Sequence, residues 1–127
     1  MIKGIHHVSL KTENDEQYKK VCEFYADILG LSVLKECDAC TLFNTPSGIV
    51  EIFRDGTNSL PQGVIRHFAF SVDSVDTYAE TVKKHGYEVF IEPKDVLIGG
   101  DENFPARVAF CKGPLGEDIE FFEQKWK

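Results

Sequence analysis

Two short stretches of the chain alternate polar and apolar residues in the same way. They are Ile5-His6-His7-Val8-Ser9-Leu10 and Ile65-Arg66-His67-Phe68-Ala69-Phe70. A period of two is that of a half-buried strand. It places His7, Ser9 and Lys11 on one face and Val8 and Leu10 on the other. In the second stretch it places His67, Ala69 and Ser71 opposite Phe68, Phe70 and Val72. After each strand the period lengthens to that of a helix. Tyr18, Val21, Cys22, Phe24, Tyr25, Ile28 and Leu29 form an apolar stripe, with Thr12 or Asn14 as N-cap and Gly30 at the C′ position. Val75, Tyr78, Ala79 and Val82 form the second stripe, opened by Asp73 or Ser74 and closed by Gly86. Lys83, Lys84 and His85 stand in its last turn, where positive charge suits the helix dipole.

Three further strands are expected in each half. In the first they are residues 31–36, 41–45 and 49–53, separated by the turns Cys37-Asp38-Ala39-Cys40 and Pro46-Ser47-Gly48. In the second they are residues 87–92 (ended by Pro93), 107–111 and 118–123. Residues 96–105 read as an irregular loop, and Gly113-Pro114-Leu115-Gly116 as a turn. Residues 54–63, rich in Asp, Gly, Asn, Ser and Pro, read as the linker between the halves. The pattern predicts an α+β fold: a single domain, residues 1–127, made of two equivalent βαβββ modules at about 2–55 and about 64–124.

Composition narrows the function. The 127 residues are 43% hydrophobic and 12% aromatic, as in a folded globular protein. The net charge of −7 comes without any Lys/Arg cluster, which argues against nucleic-acid binding. No apolar run approaches the roughly 18–20 residues that span a membrane, and no signal-peptide pattern opens the chain, so a soluble, cytoplasmic protein is expected. The four cysteines are Cys22, Cys37, Cys40 and Cys111. Cys37 and Cys40 form a single C-x-x-C that falls on a strand–strand turn, and they are read as free thiols, not as part of a disulfide framework.

The chemistry lies on the face away from the helices. In the last strand of each half, Val50 and Ile52, or Ile119 and Phe121, take the helix side. Glu51 and Glu120 therefore share a face with His7 and His67. Burying an unpaired carboxylate between Ile and Phe is costly, so each glutamate needs a partner. Two imidazoles and two carboxylates suit one divalent ion such as Ni, Zn, Co, Mn or Fe. An octahedral ion would keep two positions open for substrate. His6, at the helix side or edge of its strand, and His85, at a helix end, are assigned structural roles.

These residues resemble the vicinal oxygen chelate (glyoxalase/bleomycin resistance/dioxygenase) superfamily over about residues 2–123. His7-Val8-Ser9-Leu10, Val50-Glu51-Ile52, Arg66-His67-Phe68-Ala69-Phe70-Ser71-Val72-Asp73 and Gly116-Glu117-Asp118-Ile119-Glu120-Phe121 are similar to the four ligand motifs of bacterial glyoxalase I, or lactoylglutathione lyase. Phe24-Tyr25-Ala26-Asp27-Ile28-Leu29-Gly30-Leu31 resembles the superfamily's usual helix end. The resemblance implies a curved, cup-shaped mixed sheet with helices on its outer face. It implies a homodimer with sites at the interface, each taking His7 and Glu51 from one chain and His67 and Glu120 from the other. It also implies metal-dependent conversion of a 2-oxoaldehyde–thiol hemithioacetal to a 2-hydroxyacyl thioester through an enediolate, the step that detoxifies methylglyoxal. Glu120 would be the base and Glu51 its symmetric partner.

Relatives differ at these positions. Ring-cleaving dioxygenases and fosfomycin-modifying thiol transferases use three ligands, and methylmalonyl-CoA epimerases carry a glutamine at the second. Glu51 favours the glyoxalase type; an epimerase-like or dioxygenase-like enzyme and a non-catalytic binding or resistance protein are the alternatives. Where glyoxalase I holds glutathione with an arginine and an asparagine, the matching places of this chain carry Lys11 and, at Arg54 and Asp55, no asparagine. Lys11 and Arg54 are the substrate-binding candidates, and Lys11 is a flexible point charge without the bidentate fork of an arginine.

Overall fold

The alternation of the first strand is present in the computed structural model, which describes residues 1, 5–54 and 65–127. These form two compact units, Met1–Pro61 and Gln62–Lys127. In the first unit, strand β1 (His7–Lys11) leads into helix α1 (Asp15–Glu23), followed by β2 (Ser32–Glu36), β3 (Cys40–Thr45) and β4 (Gly48–Phe53). The sheet order is β1-β4-β3-β2. β1 runs parallel to β4, and the other pairs are antiparallel. Asn14 caps α1, its side-chain oxygen accepting from the Gln17 N–H at 2.8 Å.

The stripe expected to be one α-helix changes pitch. Residues Phe24–Ile28 form a π-helical turn, in which Phe24 O accepts from Leu29 N at 2.9 Å. The wider turn lets the consecutive rings of Phe24 and Tyr25 both reach the interior, edge to face with centroids 5.1 Å apart. Gly30 ends the helix at φ +77°, where a side chain would be strained. Val21, Phe24 and Tyr25 are buried together with Phe43, Val50 and Ile52 of the sheet, the core of this unit, and the rings of Tyr25 and Phe43 lie with centroids 6.3 Å apart.

The second unit repeats the plan. It comprises β5 (Phe68–Ser71), α2 (Val75–Lys84), β6 (Val89–Leu97), β7 (Pro105–Lys112) and β8 (Asp118–Gln124), with sheet order β5-β8-β7-β6. Ser74 is the N-cap of α2, and the Glu123 carboxylate also accepts from the Val75 N–H at 3.1 Å. Arg107 on β7 grips Asp76 of α2 with two hydrogen bonds, 2.7 and 2.8 Å, and reaches Asp95 of β6 at 3.1 Å. This fork joins helix, centre and edge of the sheet, and it holds the Asp76 carboxyl below its ordinary range.

Two further expectations are corrected. β6 does not stop at Pro93 but runs to Leu97. It is an edge strand with irregular register between Ile91 and Lys94, so the missing N–H of Pro93 leaves no ladder bond unmade. The stretch expected to be an irregular loop accordingly begins as strand and continues as a 3₁₀ turn, Ile98–Gly100. The linker lies, apart from Arg54, outside the described residues. No helix among the described residues is long and apolar enough to cross a membrane.

Phe121 tests the core of the second unit. It is fully buried and stacks on Tyr78 with centroids 5.5 Å apart. Phe121→Ala is expected to destabilise the protein by about 3–5 kcal/mol in denaturant unfolding, through lost burial and the cavity left behind.

Candidate functional site

The parallel strand pair of each unit places one histidine beside one glutamate. Ser9 on β1 pairs with Glu51 on β4, and His7 stands two residues before Ser9 on the same face. Ala69 on β5 pairs with Glu120 on β8, and His67 stands two residues before Ala69. The result is a diagonal contact in both units. His7 Nε2 lies 3.9 Å from Glu51 Oε1, and His67 Nε2 lies 3.2 Å from Glu120 Oε1. Across the sheets, the partners of Glu51 and Glu120 on the third strand are Leu42 and Phe110.

The pairs are not equivalent. The Glu120 side chain is 12% exposed and that of Glu51 is 21% exposed. Burial pushes the Glu120 carboxyl above its ordinary pKa, and the charge and hydrogen bond of His67 only partly offset this. The His67 ring is set against the edge of Phe110, centroids 5.1 Å apart and planes nearly perpendicular. His7 is backed by a neighbour of a different kind. Its Nδ1 lies 3.0 Å from Nδ1 of His6, one ring donating and the other accepting, which leaves Nε2 directed to Glu51. His6 was expected to be structural, yet it supports a candidate ligand in the way that outer partners orient metal-bound imidazoles. Its only signal in the sequence is adjacency to His7.

One of the two pairs has the spacing of two ligands on a shared divalent ion. Two ligand atoms each about 2.1 Å from a common ion sit about 3.0–3.4 Å apart at right or tetrahedral angles. The His67–Glu120 separation of 3.2 Å falls in that range, and the His7–Glu51 separation of 3.9 Å is about half an ångström long. Among the described residues, no three potential ligands form one cluster, so the four candidates come together as two pairs, one per unit.

The other candidates have distinct surroundings. Lys11 is exposed and, with Ser9, Leu10 and Phe53, lines a cavity of about 370 Å³. Arg54 is held elsewhere: its guanidinium binds Asp15 at 2.9 Å and lies 3.8 Å over the Tyr18 ring, both on α1. A second cavity of about 380 Å³ is lined by residues that include His6, Asn44 and Ile49. His85 sits at the end of α2, its Nδ1 2.9 Å from the Thr81 carbonyl oxygen.

Comparison with known proteins identifies the lineage. A family model described as the Glyoxalase/Bleomycin resistance protein/Dioxygenase superfamily matches residues 4–121. The chain belongs to this superfamily. Among curated members, the metallothiol transferase FosB of Staphylococcus haemolyticus (strain JCSC1435) is 32% identical over 80 residues, 60% of this chain and 54% of the relative. The chain thus spans about half the length of the curated relatives it matches. Two solved structures share the fold. A glyoxalase/dioxygenase from Nostoc punctiforme has a TM-score of 0.77 at 19% identity, covering 96% of this chain and 91% of its own. Lactoylglutathione lyase from Agrobacterium tumefaciens has a TM-score of 0.67 at 15% identity, covering 97% of this chain and 95% of its own.

The buried carboxylate generates a prediction about stability. A raised folded-state pKa means that ionised Glu120 lowers the stability of the metal-free protein at neutral pH. Glu120→Gln is therefore expected to raise its thermal midpoint at pH 7. The advantage should shrink as the pH falls through the raised pKa of Glu120 and vanish below the ordinary value of 4.5. Thermal scans of both proteins from neutral to acid pH measure it.

Proposed function

We propose that this superfamily member is a metal-dependent, glyoxalase I-like isomerase acting on the hemithioacetal of a 2-oxoaldehyde and a small thiol. The observation that carries the reading is Glu51 paired with His7. A three-ligand relative needs no carboxylate there, whereas a four-ligand glyoxalase site does. In this reading His7, Glu51, His67 and Glu120 hold one divalent ion, drawn from the two modules of a homodimer.

Such an ion would supply Lewis-acid polarisation of the substrate's two adjacent oxygens. The remaining work falls to the chain. Glu120 removes the proton from the hemithioacetal carbon and returns it to the neighbouring carbon, leaving a 2-hydroxyacyl thioester. In the metal-free chain, burial raises the pKa of this carboxyl above its ordinary value. Glu51 serves the opposite face of the substrate, His6 keeps the His7 ring oriented, and Lys11 offers a cation to a carboxylate on the thiol. The phenyl ring of Phe110 keeps water from one side of His67.

The likeness to a metallothiol transferase favours a second reading, metal-dependent transfer of a thiol to an electrophile such as the fosfomycin epoxide. One set of assays separates the two. The protein is stripped with a chelator, reloaded with Ni, Zn, Co, Mn or Fe, and assayed with methylglyoxal and several thiols, and in parallel with fosfomycin and the same thiols. The expected result is hemithioacetal turnover that disappears with the metal and returns on reloading. Glu120→Gln, with its metal content checked by elemental analysis, is expected to lose about 10²-fold or more in kcat. Full turnover by metal-bound Glu120→Gln would remove Glu120 from the base role, and epoxide opening without hemithioacetal turnover would establish the second reading.

Dimer ligation has its own test. Mixing a His7→Ala/Glu51→Ala chain with a His67→Ala/Glu120→Ala chain is expected to restore metal-dependent activity, because one interface of the mixed dimer would regain all four donors. A metal-loaded, active monomer in sedimentation would instead require ligation within one chain.

A further inference from the structure

The turn between β2 and β3 carries a group that the proposed reaction does not use. Glu36 pairs with Thr41, which sets Cys37 and Cys40 directly across the hairpin as the last pair before its tip. The Cys37 N–H donates to the Cys40 carbonyl at 2.9 Å, and the two sulfurs lie 3.0 Å apart. Hydrogen-bonded cross-strand pairs hold their Cα atoms about 5.5 Å apart, within the roughly 4.4–6.8 Å that a disulfide spans. The turn is anchored as well as short: the Arg54 N–H donates to the Ala39 carbonyl at 2.9 Å, and Cys40 pairs with Phe53 on β4. The backbone is therefore already set for a bond between the two sulfurs, which must close by about 1 Å to reach the 2.03–2.05 Å of a disulfide.

The two thiols differ in a way that assigns them different steps. Cys37 is exposed and Cys40 is buried. The hydrogen bond from the Cys40 thiol holds the Cys37 thiol below its ordinary pKa, with a smaller contribution from the charge of Lys35. The same contact, with burial second, pushes Cys40 up to about 11. The other two cysteines lack these features. Cys111 is buried and pushed up to about 12 by burial, and burial likewise raises Cys22.

We propose that Cys37 and Cys40 form a reversible thiol–disulfide site that reacts with low-molecular-weight disulfides such as glutathione disulfide. The Cys37 thiolate attacks one sulfur of the small disulfide. The disulfide bond breaks, one thiolate leaves, and a mixed disulfide remains on Cys37. Cys40 then gives up its proton and attacks the Cys37 sulfur, expelling the second thiolate. Two protein thiols are oxidised by two electrons, and one small disulfide is reduced to two thiols. The closed bond ties the edge strand β2 to β3 at a turn that β4 already holds, so the backbone needs little movement in either direction. Cys40 also faces the same side of the sheet as Glu51, because its partner Phe53 is two residues along β4.

Intact-mass measurement of the protein in glutathione buffers tests this. Glutathione disulfide is expected to remove two of the four thiols, with a mass loss of two hydrogens and a single peptide cross-link between Cys37 and Cys40, and reduced glutathione is expected to reverse it. Cys40→Ser is expected to stop with one glutathione bound at Cys37, and Cys37→Ser to leave Cys40 unmodified. Cys37 in the wild-type chain should react about tenfold faster or more than Cys22 or Cys111. A stable glutathione adduct on the wild-type protein without ring closure, or oxidation of Cys22 or Cys111 at the same rate as Cys37, would overturn the assignment. The cross-link is read on the wild-type chain, so the result stands whether or not either variant folds.

Discussion

Everything at the candidate site depends on the parallel pairing of the first and last strand in each unit. In a pleated strand, side chains alternate between faces, so a register that sinks Val50 and Ile52, or Ile119 and Phe121, under a helix must deliver the intervening glutamate to the other face. The same register sets each histidine two residues before the residue facing that glutamate. A slip of one residue in either pair would bury the carboxylate among helix side chains and expose the core. Packing of the apolar face and presentation of the His–Glu pair are thus enforced by one interaction. That interaction is local to a unit and is made twice.

The repetition does not make the two pairs alike. Each unit elaborates the same geometry with different neighbours, His6 behind His7 and Phe110 against His67. An imidazole neighbour is polar and shares a proton, whereas a phenyl ring excludes water and lowers the local dielectric. Glu120 is therefore the more deeply desolvated carboxylate, and the one whose proton affinity is raised. The repeat thus supplies two His–Glu pairs of the same geometry in different surroundings.

The surroundings of the sheet follow the same logic of coupling distant chain segments through few contacts. The Arg107 fork joins α2, β6 and β7 in the second unit. In the first unit, Arg54 joins the end of β4 to the start of α1 through Asp15 and Tyr18, while its backbone N–H holds the turn that carries Cys37 and Cys40. A guanidinium engaged in this way braces the fold, and of the two cations named from the sequence, Lys11 is the one that stands exposed beside a cavity.

Periodicity was enough to read much of this protein. Alternation in the first and last strand of each half identified strands, faces and the four candidate donors, and capping chemistry narrowed the helix starts to Thr12 or Asn14 and Asp73 or Ser74 and the ends to Gly30 and Gly86, because these signals depend only on neighbours along the chain. What pattern alone left undetermined were the contacts that depend on strands meeting. Pro93 reads as a strand breaker until its strand is seen to lie at an edge, where an absent donor is harmless. The stripe ending at Leu29 reads as an ordinary helix, and only packing of Phe24 and Tyr25 together into the core widens its last turn. Arg54 reads as a free cation until α1 comes alongside it. Cys37 and Cys40 read as two separate thiols until the hairpin brings their sulfurs to 3.0 Å. The chain itself specified which residues share a face; cross-strand register and packing decided which of them touch, because proximity across a sheet is not written in any one strand.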